Sequence, residues 1–475
     1  MKLLPLLTLL AATAASASTP LLANKARVAS ARAGQGASGI VGAPGTSPVK
    51  AEFVVGLLPT VDPRVLAQSL GATLEQQVGR APMVVLSVAP DAAARTALRL
   101  SRTAGVTFVE QPYSVRTPET TLCAPIVGAG TQQCTAAFYD ATPQLAKYWS
   151  QPALPAIKLD LVPTPPVGSY TVVAVIDTGI DATHPVLAGR VIGGHDFVEG
   201  DADARDVADR VDNDLDGYID EAYGHGTHVA GTIALIDPAA VFLSYRVLDA
   251  DGNGQAYNVA EAIYRAVHDG AEIINLSLGL AEHSSAVEVA LEYADANNVQ
   301  IYASAGNSGG AVLFPARYPW SVAVAAVDAS DTKADFSAYG VDVDLSAPGV
   351  DVYGPMPDGQ YAWWSGTSMA TAIASGAASR LMSASAEELI EFEAENIAES
   401  IVDGAAPIEQ QNPNYVGLLG QGRVDLAQSV LDLVLGDDAG DGGGIVTPPP
   451  PPPPPGDGDG DGDDDDGEGD DGDDD

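Results

Sequence analysis

Between residues 170 and 326 the chain alternates short, almost unbroken apolar runs with longer stretches of helical composition. Residues 171–176, 241–245, 273–276, 300–303 and 322–326 are rich in Val, Ile and Ala, with turn residues between them. Residues 256–269 and 286–297 read as helices. A strand that is apolar at every position has no face to offer to water. Such strands belong to a parallel sheet covered on both sides by helices. The expected class is therefore α/β, in three layers around a mostly parallel central sheet. Sites in such sheets gather at the carboxyl ends of the strands. Asp177 closes the first run and falls at such an end.

A smaller pattern precedes this one. Residues 52–58, 83–88 and 106–110 read as strands, and residues 63–70 and 91–101 as helices, which together make an α+β unit of about 65 residues. Residues 18–48 are rich in Ala, Ser, Gly and Pro without periodicity and read as a flexible lead. Residues 115–170 hold many prolines and no assignable element. The globular pattern ends near Leu435. Beyond it come a Gly/Asp stretch, eight consecutive prolines at 448–455 and an Asp/Gly tail. The prolines read as an extended spacer, and the tail has nothing apolar to bury and is expected to be disordered.

The first 17 residues have the pattern of an export signal: Lys2, a short apolar run, and Ala15-Ser16-Ala17 as a small-residue cleavage site. The apolar run is too short to span a bilayer, and no later segment is long enough, so no membrane span is expected. Net charge is −42, and 13 of the 64 acids lie between Asp457 and Asp475. With Asp437, Asp438 and Asp441 also set aside, about −26 remains on the rest of the chain. This excludes nucleic acid as a natural partner, because nucleic acid binds basic surfaces. The only cysteines are Cys123 and Cys134. In an exported chain a close pair is expected to be bridged, with two free thiols as the alternative.

Three Gly-flanked motifs carry candidate chemistry. They are Val175-Ile176-Asp177-Thr178-Gly179, then His225-Gly226-Thr227-His228-Val229-Ala230-Gly231, then Gly366-Thr367-Ser368-Met369-Ala370. A serine needs a base to become a nucleophile, and the base needs a group to orient it. Ser368 stands at the start of an Ala-rich helical run, where backbone N–H groups are free. His225 begins another such run and is the better base, because His228 lies one helical turn deeper. A fourth motif, Ser304-Ala305-Gly306-Asn307-Ser308-Gly309, offers an asparagine after a buried strand.

The order Asp, His, Ser separates one hydrolase fold from the others that use these residues. Over roughly residues 172–433 the chain resembles the subtilisin-like serine proteases, or subtilases, and residues 49–114 resemble a subtilase inhibitor propeptide. The resemblance implies a three-layer subtilisin-like fold at 115–436, with its core at 170–435, and a tail at 437–475. It implies a secreted, monomeric endopeptidase acting on proteins or peptides through an acyl-enzyme, with its own propeptide as inhibitor. Asp177, His225 and Ser368 would be catalytic, and His228 structural. Asn307 and the backbone N–H of Ser368 would form the oxyanion hole. Ser277, Leu278 and Gly279 would bind substrate. Two departures stand out. Leu280 replaces a second glycine and is expected to reshape the specificity pocket. Thr371-Ala372-Ile373-Ala374-Ser375-Gly376 lacks the usual proline and histidine. Two alternatives remain: a catalytically silent surface-binding relative, and a processing protease dedicated to one partner.

Residues 212–221 place Asp212, Asp214, Asp216 and Asp220 at loop positions 1, 3, 5 and 9, with Gly217 at position 6. Alternate hard oxygen ligands around a glycine turn suit calcium. Tyr223 stands where a bidentate glutamate is expected, so a structural calcium site and a solvated acidic loop both remain open.

Overall fold

The computed structural model describes residues 50–119, 137–385 and 394–435. The export signal, the lead, both cysteines, the proline run and the acidic tail lie outside the described residues.

The N-terminal unit is a four-stranded antiparallel sheet with two helices. Its strands are β1 (Ala51–Leu57), β2 (Thr73–Gln77), β3 (Met83–Val88) and β4 (Val106–Glu110), in the order β2-β3-β1-β4. The Pro63–Leu70 helix starts where Asp62 accepts from the N–H groups of Arg64 and Val65, and it stops at Gly71 with φ 67°. Strand β2 has a single apolar residue, Leu74, and lies at the sheet edge, which is why the apolar pattern did not mark it.

Both faces of β1 are buried. Phe53, Val55 and Leu57 pack under the unit's own helices, with Leu66 and Leu100. Val54, Met83 and Val85 face the other way, into the core of the larger unit. At the seam, the Glu110 carboxylate accepts from Ser284 Oγ (2.8 Å) and the Ser285 N–H (2.6 Å), at the start of the Ser285–Ala296 helix. A carboxylate is favoured there by the free N–H groups of the first turn.

The chain continues as β5 (Ser114–Arg116). Strand β6 (Ala137–Tyr139) follows and joins a small antiparallel sheet described below. The larger unit is built on a seven-stranded sheet in which every pairing is parallel. Its strands are β7 (Val172–Asp177), β8 (Val191–Asp196), β9 (Val241–Arg246), β11 (Ile273–Leu276), β12 (Gln300–Ser304), β13 (Val322–Val327) and β14 (Leu345–Pro348). Between β9 and β11 lies the short β10 (Asn253–Gln255), which pairs with β5. The sheet order is β14-β13-β12-β11-β7-β9-β8. Strands β15 (Val352–Met356) and β16 (Gln360–Trp364) pair with β6 as the small antiparallel sheet.

Helices cover both faces of the parallel sheet, which explains the unbroken apolar runs. Ala256–His268 and Ser285–Ala296 close one side. His225–Ile236 and Thr367–Ser385 close the other, joined by Ala394–Asp403 and Leu426–Leu435. The last two were not expected as helices. In the Thr367–Ser385 helix, Ala372, Ile373 and Ala374 are all in the core, so small apolar residues there let it pack closely against His225–Ile236. Among the described residues no helix is long and apolar enough to cross a membrane.

Candidate active site

Three neighbouring strands and two helix starts converge at one edge of the sheet. Asp177 ends β7, Ser277–Gly279 follow β11, and Asn307 lies three residues beyond β12. His225 opens its helix, and Ser368 is the second residue of the Thr367–Ser385 helix. The histidine is held from below. Asp206, which sequence reading missed, accepts from the N–H of Gly224 (3.0 Å) and of Thr227 (3.1 Å) at the helix start. Burial pushes its carboxyl up to about 7, opposed in part by those donors. Gly226 allows the close approach, because a Cβ there would stand 2.2 Å from the Gly179 carbonyl oxygen.

His225 Nδ1 lies 2.7 Å from Asp177 Oδ1, and both residues are fully buried. That carboxylate also accepts from the Thr178 N–H at 2.7 Å. The imidazole is thereby fixed with its other nitrogen toward the Glu119 carboxylate that also accepts from Ser368. His228 bonds the Val352 carbonyl through Nε2 (3.1 Å), and burial pushes it down to about 3, so it stays neutral and has no route to the serine.

The carboxylate of Glu119 fills the centre. One oxygen accepts from Asn307 Nδ2 (3.0 Å) and from the Ser368 N–H (3.3 Å). The other accepts from Ser368 Oγ (2.9 Å) and lies 3.2 Å from His225 Nε2. Asn307 is pre-aimed, because its Oδ1 accepts from the N–H and the hydroxyl of Thr367, both at 2.9 Å. Nothing in the local sequence marked Glu119, because its partners are remote in the chain.

Burial opposes the charge on both Glu119 and His225, yet their pairing outweighs it. Despite burial, the His225 hydrogen bond and charge, with the Ser368 and Asn307 donors, hold Glu119 below the usual carboxyl value. His225 is pushed up to about 10, since Asp177 and Glu119 together outweigh its burial. The imidazole is therefore a cation between two carboxylates in this state.

The segment leading to Glu119 lies across the sheet edge as an extra strand. Val115 pairs with Gly254 of β10, and the Thr117 N–H donates to the Gly252 carbonyl (3.0 Å). On the other side Arg116 and Gly279 exchange two backbone bonds, at 3.0 and 2.8 Å. The expected substrate-binding residues thus pair with this chain's own backbone. This pairing segment runs from the expected boundary at residue 114 on to Glu119. Leu280 is 1% exposed and packs in the core cluster, with its backbone paired to Phe314.

Of the four candidate metal ligands, three come together. Asp212, Asp214 and Asp216 each place a carboxylate oxygen within 4.8 Å of the others. Asp220 turns away and accepts from the N–H groups of Asp209 (2.9 Å) and Arg210 (3.0 Å). Behind the loop, Asp251 accepts from the Asn213 N–H (2.5 Å) and faces Glu221, whose carboxyl is pushed up to about 8 by burial and by Asp251.

The model of the subtilase family matches residues 168–429. A thermophilic serine proteinase of Bacillus sp. (strain AK1) is 42% identical over 222 residues, which is 44% of this chain and 52% of that protein. The chain thus spans about half the length of that relative. Thermitase of Thermoactinomyces vulgaris is 39% identical over 227 residues, covering 46% of this chain and 76% of that protein. Fervidolysin from Fervidobacterium pennivorans, described as a keratinolytic enzyme related to subtilisin, shares the fold with a TM-score of 0.62 at 23% identity. It covers 80% of this chain and 61% of its own. The matched region runs through Asp177, His225, Asn307 and Ser368, and the chain belongs to the subtilase family.

Proposed function

We propose that this chain is an exported serine endopeptidase whose N-terminal unit, residues 49–119, inhibits it until maturation. The observation that carries the reading is the position of Glu119. Its carboxylate engages the serine hydroxyl, the histidine nitrogen and two oxyanion donors at once. A scissile carbonyl placed there would meet the same groups.

Ser368 Oγ attacks that carbonyl carbon and passes its proton to His225 Nε2. Asp177 holds the tautomer and stabilises the imidazolium. The oxygen that becomes negative is met by Asn307 Nδ2 and the Ser368 N–H, which need no rearrangement. The leaving amine takes the proton from His225, and water then releases the acyl group by the reverse sequence. Backbone pairing to β10 and Gly279 suits extended peptides with little demand on side chains. In the Glu119-filled state the base is already protonated, so it is blocked chemically as well as sterically.

Asp212, Asp214 and Asp216 would hold a calcium ion, with Glu221 and Asp251 behind them. Hard oxygen donors in this number suit that ion, and the carboxylates of Glu221 and Asp251 brought face to face behind the loop fit a cation held nearby. The ion would tie the loop that precedes His225, without taking part in the chemistry. Labelling with a fluorophosphonate tests the central reading. Matured protein should be labelled at Ser368 and should hydrolyse peptide amides in proportion to the label. Absence of both would defeat the reading.

A further inference from the structure

Leu313 occupies the gap between the two backbones that flank the reacting serine. A Cβ added at Gly279 would stand 2.6 Å from Leu313 Cδ1, and one added at Gly306 would stand 2.9 Å from the same atom. Gly279 belongs to the segment that pairs with Arg116, and Gly306 immediately precedes Asn307. The leucine is itself fixed. Its N–H donates to the Ala305 carbonyl (2.9 Å), and the next residue, Phe314, exchanges two backbone bonds with Leu280 at 2.7 and 3.0 Å. Leu313 is half-buried, with its side-chain end against the backbones of Gly279 and Gly306.

The antiparallel register shows which substrate residue this gap receives. Arg116 stands opposite Gly279, so a residue two further on stands opposite Ser277. The Ser277 carbonyl lies 3.3 Å from Ser368 Oγ, so a substrate residue paired with Ser277 is held beside the nucleophile. In this chain the position belongs to Pro118, which is buried. Proline is compact, and it has no N–H to offer the Ser277 carbonyl. A long side chain at this position would have to displace Leu313, which two glycine backbones confine.

We propose that Leu313 is the floor of the primary specificity pocket and restricts the residue before the scissile bond to small side chains such as alanine or serine. The pocket is lined by backbone at Gly279 and Gly306, so its depth is set by this one side chain. The inference rests on the peptidase reading and names its substrate class.

The test uses full-length chain after self-maturation, with active sites counted by fluorophosphonate labelling. Tetrapeptide p-nitroanilides differing only in the last residue, Ala against Phe, are the probes. Wild type should favour Ala by at least tenfold in kcat/KM, within the range that a few methylenes command in an apolar pocket. Leu313→Ala should shift the Ala/Phe ratio of kcat/KM toward Phe by about tenfold or more. Leu313→Phe should depress Ala turnover while labelling persists. A wild-type preference for Phe overturns the proposal even if neither variant folds, and so does an unchanged Ala/Phe ratio in Leu313→Ala. Loss of both labelling and turnover in wild type would instead strike the peptidase reading beneath it.

Discussion

The carboxylate of Glu119 and the hydroxyl of Ser368 meet at 2.9 Å across 249 residues of sequence. On the proposed function the contact puts an acid of the N-terminal unit where a substrate carbonyl would sit, and it ties inhibition to two protonation states.

Glu119 lies below its usual carboxyl value and His225 is raised to about 10. Their pairing contributes fully above the ordinary carboxyl value of 4.5 and below the ordinary imidazole value of 6.5. Above that window the unfolded histidine loses its proton first, so the contribution declines and is gone as pH rises through about 10. Below the window it is lost as Glu119 takes up a proton. The melting temperature of Ser368→Ala should therefore exceed that of Ser368→Ala/Glu119→Gln most at pH 5–6.5, by the equivalent of about 1–3 kcal/mol. A gap that does not change with pH would rule out an ionised pair.

Ser368→Ala should abolish peptide hydrolysis, by roughly 10⁶-fold in turnover, the loss known for the nucleophile of subtilisin itself. It should also leave the chain at full length when produced in a protease-free host, if maturation is self-catalysed. Processing that proceeds normally in that variant would assign maturation to another protease.

Asn307→Ala should lower kcat by about 10²–10³ while KM changes little, because the amide acts on charge that develops in the transition state. The same change removes a donor to Glu119, so the unprocessed chain should lose its grip on that carboxylate as well. A variant that changes KM alone would place Asn307 in substrate binding instead.

Removing calcium with a chelator should lower the melting temperature and speed self-digestion, since an ion bound only by folded protein stabilises it by mass action. Asp214→Asn/Asp216→Asn should abolish that sensitivity. Asp220→Asn should retain it, because Asp220 is engaged with the backbone of residues 209 and 210. Equal loss in both variants would mean that the ligand set is wrong.

Asp177, His225 and Ser368 were legible as candidates because each sits in a glycine-bearing motif, and Gly226 shows against Gly179 why the close approach needs one. The central strands were legible because burial on both faces leaves no polar alternation. Strand β8 was not, since Val191–Asp196 carries two glycines and lies at the sheet edge. Glu119 and Leu313 were invisible for a different reason. Their roles are set by partners that only the folded sheet brings near, and neither residue is unusual among its neighbours in sequence. Asp220 illustrates the converse: spacing placed it among ligands, and local backbone donors claimed it.

The two-sided burial of β1 bears on what maturation must accomplish. A cut between residues 120 and 136 would change the connectivity of the chain and leave the packing of Val54, Met83 and Val85 intact. The severed unit would remain seated, with Glu119 at its end still in place. Activation then becomes a dissociation, and its extent depends on how dilute the protein is. Concentrated material would stay quiet after the bond is broken. The same material spread into a large volume would become active.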